Sequence, residues 1–441
     1  MHYGKGSPVF HESFFDIQLI EKQQNKMKKP SILILVFLSV LLSSCSDRMG
    51  KDWSRLGTAT AEKDIPVKEM KRMRYRMPEG VISADIVNQN GRLHLLTGTQ
   101  EEGQKTLWYR FSDDHGQSWS SPVKVLADDN LPANMNRGKD AQIAAQGNTV
   151  VVTWMKFTED RRFNVGPMLA ARSTDGGKTW VYTDAPPSWN KGPHGYTDLI
   201  ADDHAFHAVW LDSRLGNSKV MASQALHYAK STDGGKHWQP DQTLDGLTCS
   251  CCWNSLKTDM NGNTYVLYRD KKPSDLSLGL VDSNARWEYL SHVGAFDWQF
   301  EGCPHIGGGL DIQLDGTKQR FHAVAGTGHP DYLGVHYLSS EDRGRTWSRA
   351  KQLGDDSAIH ADVAAHDDGR VVAVWDMMGD YGLAVFKAES GNQGRSWSQP
   401  EQLSGKGMRA SHPRIVKTGT GFLALWTQSD GQTQTLSMQR L

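Results

Sequence analysis

The stretch Ser112-Asp113-Asp114-His115-Gly116-Gln117-Ser118-Trp119 decides how this chain is read, because its pattern, Ser-x-Asp-x-Gly-x-Ser/Thr-Trp, returns at intervals. Ser173, Asp175, Gly177 and Trp180 repeat it, as do Ser231, Asp233, Gly235 and Trp238, and Ser340, Asp342, Gly344 and Trp347. A further copy, Ser390, Asn392, Gly394 and Trp397, exchanges Asp for Asn, and a decayed one keeps Asp282, Asn284 and Trp287 at the right offsets. The chemistry of the pattern is structural. Asp or Asn folds its side chain onto backbone N–H groups in a hairpin turn. Gly supplies a positive φ, and Trp covers apolar surface. These aspartates are therefore expected to be scaffold, not acids or bases.

A β-prone run interleaves with this motif. It reads RLHLLT at 92–97, TVVVTW at 149–154, AFHAVW at 205–210, NTYVLY at 263–268, RFHAVA at 320–325, RVVAVW at 370–375 and GFLALW at 421–426. A period of 50 to 58 residues, each holding several short strands, is the spacing of a β-propeller. Seven such runs predict an all-β fold with seven blades, six being the alternative. The last unit looks short, and residues 57–75 are expected to lend it an outer strand. The composition agrees: 43 Gly and 15 Trp among 441 residues suit many short strands and tight turns. A net charge of −1 leaves no global basic field for nucleic acid.

The N-terminus reads differently. From Met27 there is a positive start (Lys28, Lys29), an apolar run over 32–42 and then Leu42-Ser43-Ser44-Cys45. The run is short for a membrane span. It resembles a bacterial lipoprotein signal, which implies that Cys45 is lipidated and that the protein sits in the cell envelope, at the outer membrane, held by lipid alone. Residues 1–26 read as an extension upstream of that start, 27–45 as the signal, 46–70 as a polar tether and 71–441 as the propeller.

The repeated motif resembles the Asp box of sialidases and related BNR-repeat proteins, over roughly residues 75–441. Tyr75-Arg76-Met77-Pro78 is similar to the Phe/Tyr-Arg-Ile-Pro that opens sialidase catalytic domains. The resemblance implies that Arg76 belongs to a clamp on a substrate carboxylate, with Arg269 and Arg414 as further members. Family catalysis uses a tyrosine nucleophile, its glutamate partner and an aspartate acid/base. Here Cys249-Ser250-Cys251-Cys252 stands where the glutamate is expected and His412 where the tyrosine is. Glu101 and Glu102 occupy the acid/base region.

In a propeller, ligands bind where the loops entering the first strand of each unit converge. Those places hold Arg137-Gly138-Lys139-Asp140, His194-Gly195-Tyr196-Thr197-Asp198, Cys249 to Cys252, Gly302-Cys303-Pro304-His305, Ile359-His360-Ala361-Asp362 and Ser411-His412-Pro413-Arg414. Candidate catalytic residues are Glu101, Glu102, Asp140 and His412; Arg76, Arg269, Arg414 and His194 are candidates for binding substrate. The Cys-x-Cys-Cys and Gly-Cys-Pro-His pair resembles a bacterial subgroup of sialidase-like proteins. Its chemistry has three readings. Two disulfides would pair the four cysteines, with Cys303 joined to one of the first three. Copper(I) or zinc would be held by Cys249, Cys251, Cys252, Cys303 and His305. A catalytic thiol is the third.

Three functions follow. The first is a sialidase-related glycosidase trimming acidic glycans. The second is a metal-binding propeller, and the third a non-catalytic glycan- or protein-binding platform. The expected partners are a glycan and a membrane reached through the lipid; nucleic acid is excluded and a monomer is expected. There is no phosphate-binding glycine loop, His-Glu-x-x-His motif or dinucleotide fingerprint. Gly307-Gly308-Gly309 reads as a place where strands approach closely.

Overall fold

A computed structural model describes residues 79–126, 133–158, 165–215 and 223–441. Cys45, Arg76 and the strand expected from residues 57–75 lie outside them. The described residues are all β. Each β-prone run of the sequence is the second strand of an antiparallel unit, as at Arg92–Glu101, Phe206–Asp212 and Val371–Gly379. The preceding first strands are Glu79–Gln89, Gln142–Gln146, His194–Ala201, Ser255–Thr258, Gly308–Asp315, Ala361–Ala365 and Arg409–Lys417. We number the units 1 to 7 by these strands. The last strand of unit 7, Thr433–Arg440, pairs in parallel with Glu79 and Gly80, which merges units 7 and 1 into one sheet.

The Asp motif closes the turn between third and fourth strands. In its first copy the Asp114 carboxylate accepts from the Ser118 N–H at 2.8 Å, Ser112 Oγ accepts from the Gly116 N–H at 2.8 Å, and Gly116 has φ 83°. Hydrogen bonds from Ser118 hold the Asp114 carboxyl well below the usual range. Each Trp then packs on an apolar cluster shared by two consecutive units. Trp180 packs on the cluster that holds Ile82 and Leu96 of unit 1 and Ile143 of unit 2, and Trp397 on the one that holds Val335 of unit 5 and Trp375 of unit 6. Ala84, Ile86 and Leu93 of unit 1 share a cluster with Leu423 and Leu425 of unit 7. The core is thus distributed between units, as in a β-propeller.

A second device ties first strands together. Residues opposite the fifth position of each β-prone run occupy equivalent places: Asp85, Gln142, Asp198, Ser255, Gly309, Asp362 and Arg414. Three of the carboxylates accept from a backbone N–H in the next unit. Asp85 accepts from Ile143 (2.9 Å), Asp198 from Leu256 (2.6 Å) and Asp362 from Ile415 (3.1 Å). In unit 5 the carboxylate moves two residues on, where Asp311 accepts from Ala365 at 2.8 Å. The reason is visible at Gly309. A Cβ there would stand 2.5 Å from the Asp362 carboxylate, so no side chain fits. Arg414 and Lys257 supply opposing charge, at 3.2 Å from Asp85 and 3.3 Å from Asp311. Burial nevertheless pushes Asp85 up to about 6.

Candidate functional site

The loops entering the first strands meet at a partly open pocket whose enclosed space is small, about 30 Å³. Unit 2 supplies Arg137, Asp140 and Gln142, and unit 3 Tyr196 and Thr197. Trp253 and Asn254 come from unit 4, His360 from unit 6, and His412 and Arg414 from unit 7. The backbone is shaped to present these groups. The pairing register shifts between Gly195 and Asp198 and again between Ser411 and Arg414. Tyr196 (φ 55°) and His412 (φ 54°) sit in those shifts in the left-handed region, as does His305 (φ 54°) in the loop of unit 5. Left-handed backbone at bulky residues clusters at functional places.

His360 and His412 are the chemical centre. Their rings stack with centroids 3.9 Å apart and planes 20° from parallel, with Trp253 at 5.2 and 6.1 Å. One buried carboxylate organises both. Asp376 accepts from His360 Nδ1 at 2.7 Å and from the His412 backbone N–H at 2.8 Å. With Nδ1–H committed to Asp376, His360 Nε2 is the basic nitrogen. Burial, reinforced by His360, Arg137, Arg409 and His305, holds His412 well below the ordinary imidazole range, so it is neutral near pH 7. Burial, with Lys139 and His360 nearby, lowers His305 as well.

Arg137 braces the opposite side. It donates to Asp140 and to the Ala84 carbonyl, each at 2.7 Å, and to the His412 carbonyl. Lys139 stands over the Tyr196 ring, 5.2 Å from its centroid.

Of the candidates from sequence, Asp140, His412 and Arg414 line this pocket. Arg269 does not: it is 2 % exposed and donates to the carbonyls of Ile306, Ser274 and Gly326, so its fork is committed to the scaffold. His194 is fully buried, with Nε2 2.9 Å from the Trp189 carbonyl oxygen. Glu101 and Glu102 are exposed at the tip of the hairpin between Arg92–Glu101 and Gln104–Ser112, and neither lines the pocket.

Cys251 and Cys303 are joined in a disulfide, which fastens the loop carrying Trp253 and Asn254 to the loop carrying His305. The second disulfide expected from the sequence is not formed: Cys249 and Cys252 are buried thiols with sulfurs 3.1 Å apart. In this oxidation state the proposed metal-ligand set is reduced to these two thiols and His305, short of the four ligands a closed zinc site needs.

Sequence reasoning passed over Asp376, because it follows its β-prone run whereas the mouth was sought before each run. The signal was available: Asp376 is the next residue after Trp375, whose cross-strand partner is Ala361, beside His360.

Residues 37–291 match the family of BNR repeat-like domains. The chain belongs to this family. A solved structure titled as a polysaccharide lyase, an ulvan lyase bound to -[GlcA(1-4)Rha3S]-, is similar at 10 % identity with a TM-score of 0.56, covering 82 % of this chain and 94 % of that one. The polysaccharide lyase Uly1 is similar at 6 % identity and a TM-score of 0.52, covering 82 % and 90 %. The intramolecular trans-sialidase from Ruminococcus gnavus stands further off, at 13 % identity and a TM-score of 0.44, with 82 % and 94 % covered. No curated protein sequence matches significantly.

Proposed function

We propose that this chain is a seven-bladed propeller whose mouth pocket binds the carboxylate-bearing sugar of an acidic glycan and cleaves the chain there through His360. The blade number is supported by the apolar clusters, which pair each unit with the next and unit 7 with unit 1. The observation that carries the reaction is the pair of stacked imidazoles fixed by Asp376. Hydrolysis in the sialidase manner needs a tyrosine nucleophile with a glutamate partner and an aspartate acid/base. Among the lining residues Asp140 is the sole carboxylate, and it is paired to Arg137.

Elimination suits the groups better. His360 Nε2 takes the proton from the carbon next to the sugar carboxylate. The electron pair forms a carbon–carbon double bond, and the glycosidic C–O bond breaks. The imidazolium returns its proton to the departing oxygen. Asp376 stabilises that imidazolium, and the neutral His412 ring packs on its face without repelling it. Arg414 meets the charge that builds on the carboxylate. The fold shared with two polysaccharide lyases supports the substrate class.

Incubation with uronate-containing polysaccharides and with an aryl sialoside tests this. Elimination gives ultraviolet absorbance from a conjugated uronate. Sialic acid release without it would favour the sialidase-related hydrolysis that Arg414 also suits. Binding without turnover would leave a non-catalytic platform.

A second reading is a soft-metal site in the reduced protein. The donor atoms of Cys249, Cys251 and Cys252 lie within 4.8 Å of one another, as do those of Cys251, Cys303 and His305. Elemental analysis of protein purified with a thiol reductant tests it; near-stoichiometric copper or zinc is expected, and none would reject it. The signal-like segment ending at Cys45 supports envelope anchoring, for which loss of membrane association in Cys45→Ala is the test.

A further inference from the structure

Besides Arg137, whose Nε is likewise unpartnered, three residues of the pocket wall carry buried polar atoms with no partner among the described residues: Gln142 Oε1, Thr197 Oγ1 and Asn254 Oδ1. Their residues are 6 %, 8 % and 3 % exposed. Neither amide is free to turn its nitrogen inward instead. Asn254 Nδ2 donates to the Tyr196 carbonyl at 2.8 Å, and Gln142 Nε2 donates to the Asp140 carbonyl at 3.2 Å. The atoms left over are therefore the two carbonyl oxygens, which only accept, and a hydroxyl, which does either.

Unpartnered buried acceptors weaken a fold, and apolar side chains of similar shape would not. Their position gives them a use. They belong to consecutive units, 2, 3 and 4, whereas His360, His412 and Arg414 come from units 6 and 7. The pocket thus carries three unpartnered acceptors on units 2 to 4, beside Arg137, and imidazoles with Arg414 on units 6 and 7. The acceptors take O–H donors, which a methylated or sulfated oxygen no longer offers.

We infer that Gln142, Thr197 and Asn254 determine specificity by reading free ring hydroxyls of the sugar whose carboxylate faces Arg414: a uronate unsubstituted on its hydroxyl edge. This rests on the acidic-glycan reading above. It goes beyond it in excluding uronates whose ring hydroxyls are methylated or sulfated.

The test compares two ligands on the folded protein by calorimetry, methyl glucuronide and its 2,3-di-O-methyl derivative. The wild type should prefer the free hydroxyls by about tenfold or more, since a site built around a hydroxyl rejects the analogue that cannot donate. Gln142→Met and Thr197→Val should each lose most of that preference. Their melting temperatures should stay level or rise, because each removes an unpartnered buried atom. Equal affinity of the wild type for both ligands would overturn the inference while leaving the acidic-glycan reading standing. So would variants that keep the preference. If neither ligand binds, both readings fall.

Discussion

Units 3 and 6 each bring a histidine against an aspartate where the first and second strands meet at the mouth, and the two pairs have opposite fates. In unit 3, Asp212 is consumed. Trp210 Nε1 donates to it at 3.0 Å, Arg214 at 2.6 Å, and His227 lies 3.1 Å away. Burial alone would raise this carboxyl; the hydrogen bonds from His227 and Arg214 overcome it and hold it low. His194, 3.7 Å off, turns to the Trp189 carbonyl and is sealed between Trp189 and Trp210. In unit 6, Asp376 has no such crowd, and His360 keeps its Nδ1 bond to the carboxylate while its ring lines the pocket. Residue types do not separate scaffold from site here; competition for the carboxylate does.

The widest separation should come from the histidines. His360→Ala is expected to lower turnover by about 10²–10⁴-fold, the usual span for a lost general base. His194→Ala should leave turnover per folded molecule unchanged and lower the melting temperature. Activity and thermal melting measured together distinguish the pairs, and an inactive but stable His194→Ala would erase the distinction.

The aspartates sharpen it. Asp212→Asn leaves Arg214 with Asp241 as its remaining carboxylate, so it should cost stability, up to about 3–5 kcal/mol, the cost of a fully uncompensated buried charge. Asp376→Asn should spare stability by comparison and cut the rate, which denaturant titration and initial rates will separate.

The disulfide comes next. Cys303→Ser opens a loop spanning 52 residues. It should cost about 2–4 kcal/mol in denaturant unfolding.

A pH effect follows from scaffold histidines of units 1 and 5. His94 and His322 sit 2.8 and 2.7 Å from the hydroxyls of Tyr109 and Tyr337, and burial lowers each to about 4. Their folded values lie below the unfolded one, so the unfolded chain binds more protons in between. The stability they support is present above about pH 6.5 and is lost as pH falls toward about 4. Acid titration of the wild type against His94→Gln/His322→Gln should show a shallower loss in the variant. The smallest effect is expected at Asp114→Ala, where an exposed turn loses its clasp and the pocket is untouched; unchanged turnover is the check.

Much of this was legible in the sequence. The Asp motif and the β-prone run carry their own chemistry, so the strands, the turn clasps and the Trp covers follow from residue type and spacing. The repeat register also gathered Arg137, Tyr196, His360 and His412 at one mouth. What each side chain does there was not legible. Arg269 follows a β-prone run like a substrate ligand, yet three backbone carbonyls claim it. The role of His412 depends on a register shift and on Asp376, which lies 36 residues away in another unit. The carboxylates that tie units together were hidden because their partners are backbone N–H groups in the following unit, which no side-chain pattern announces.

The central claim is that His360, held by Asp376, eliminates across a uronate at the mouth pocket. Its most direct measurement is the ultraviolet absorbance of a uronate-containing polysaccharide incubated with the wild type and with His360→Ala. The account predicts a steady rise with the wild type and a flat trace with the folded variant. A rise that survives in the variant, or cleavage by the wild type that yields reducing ends without absorbance, would contradict it.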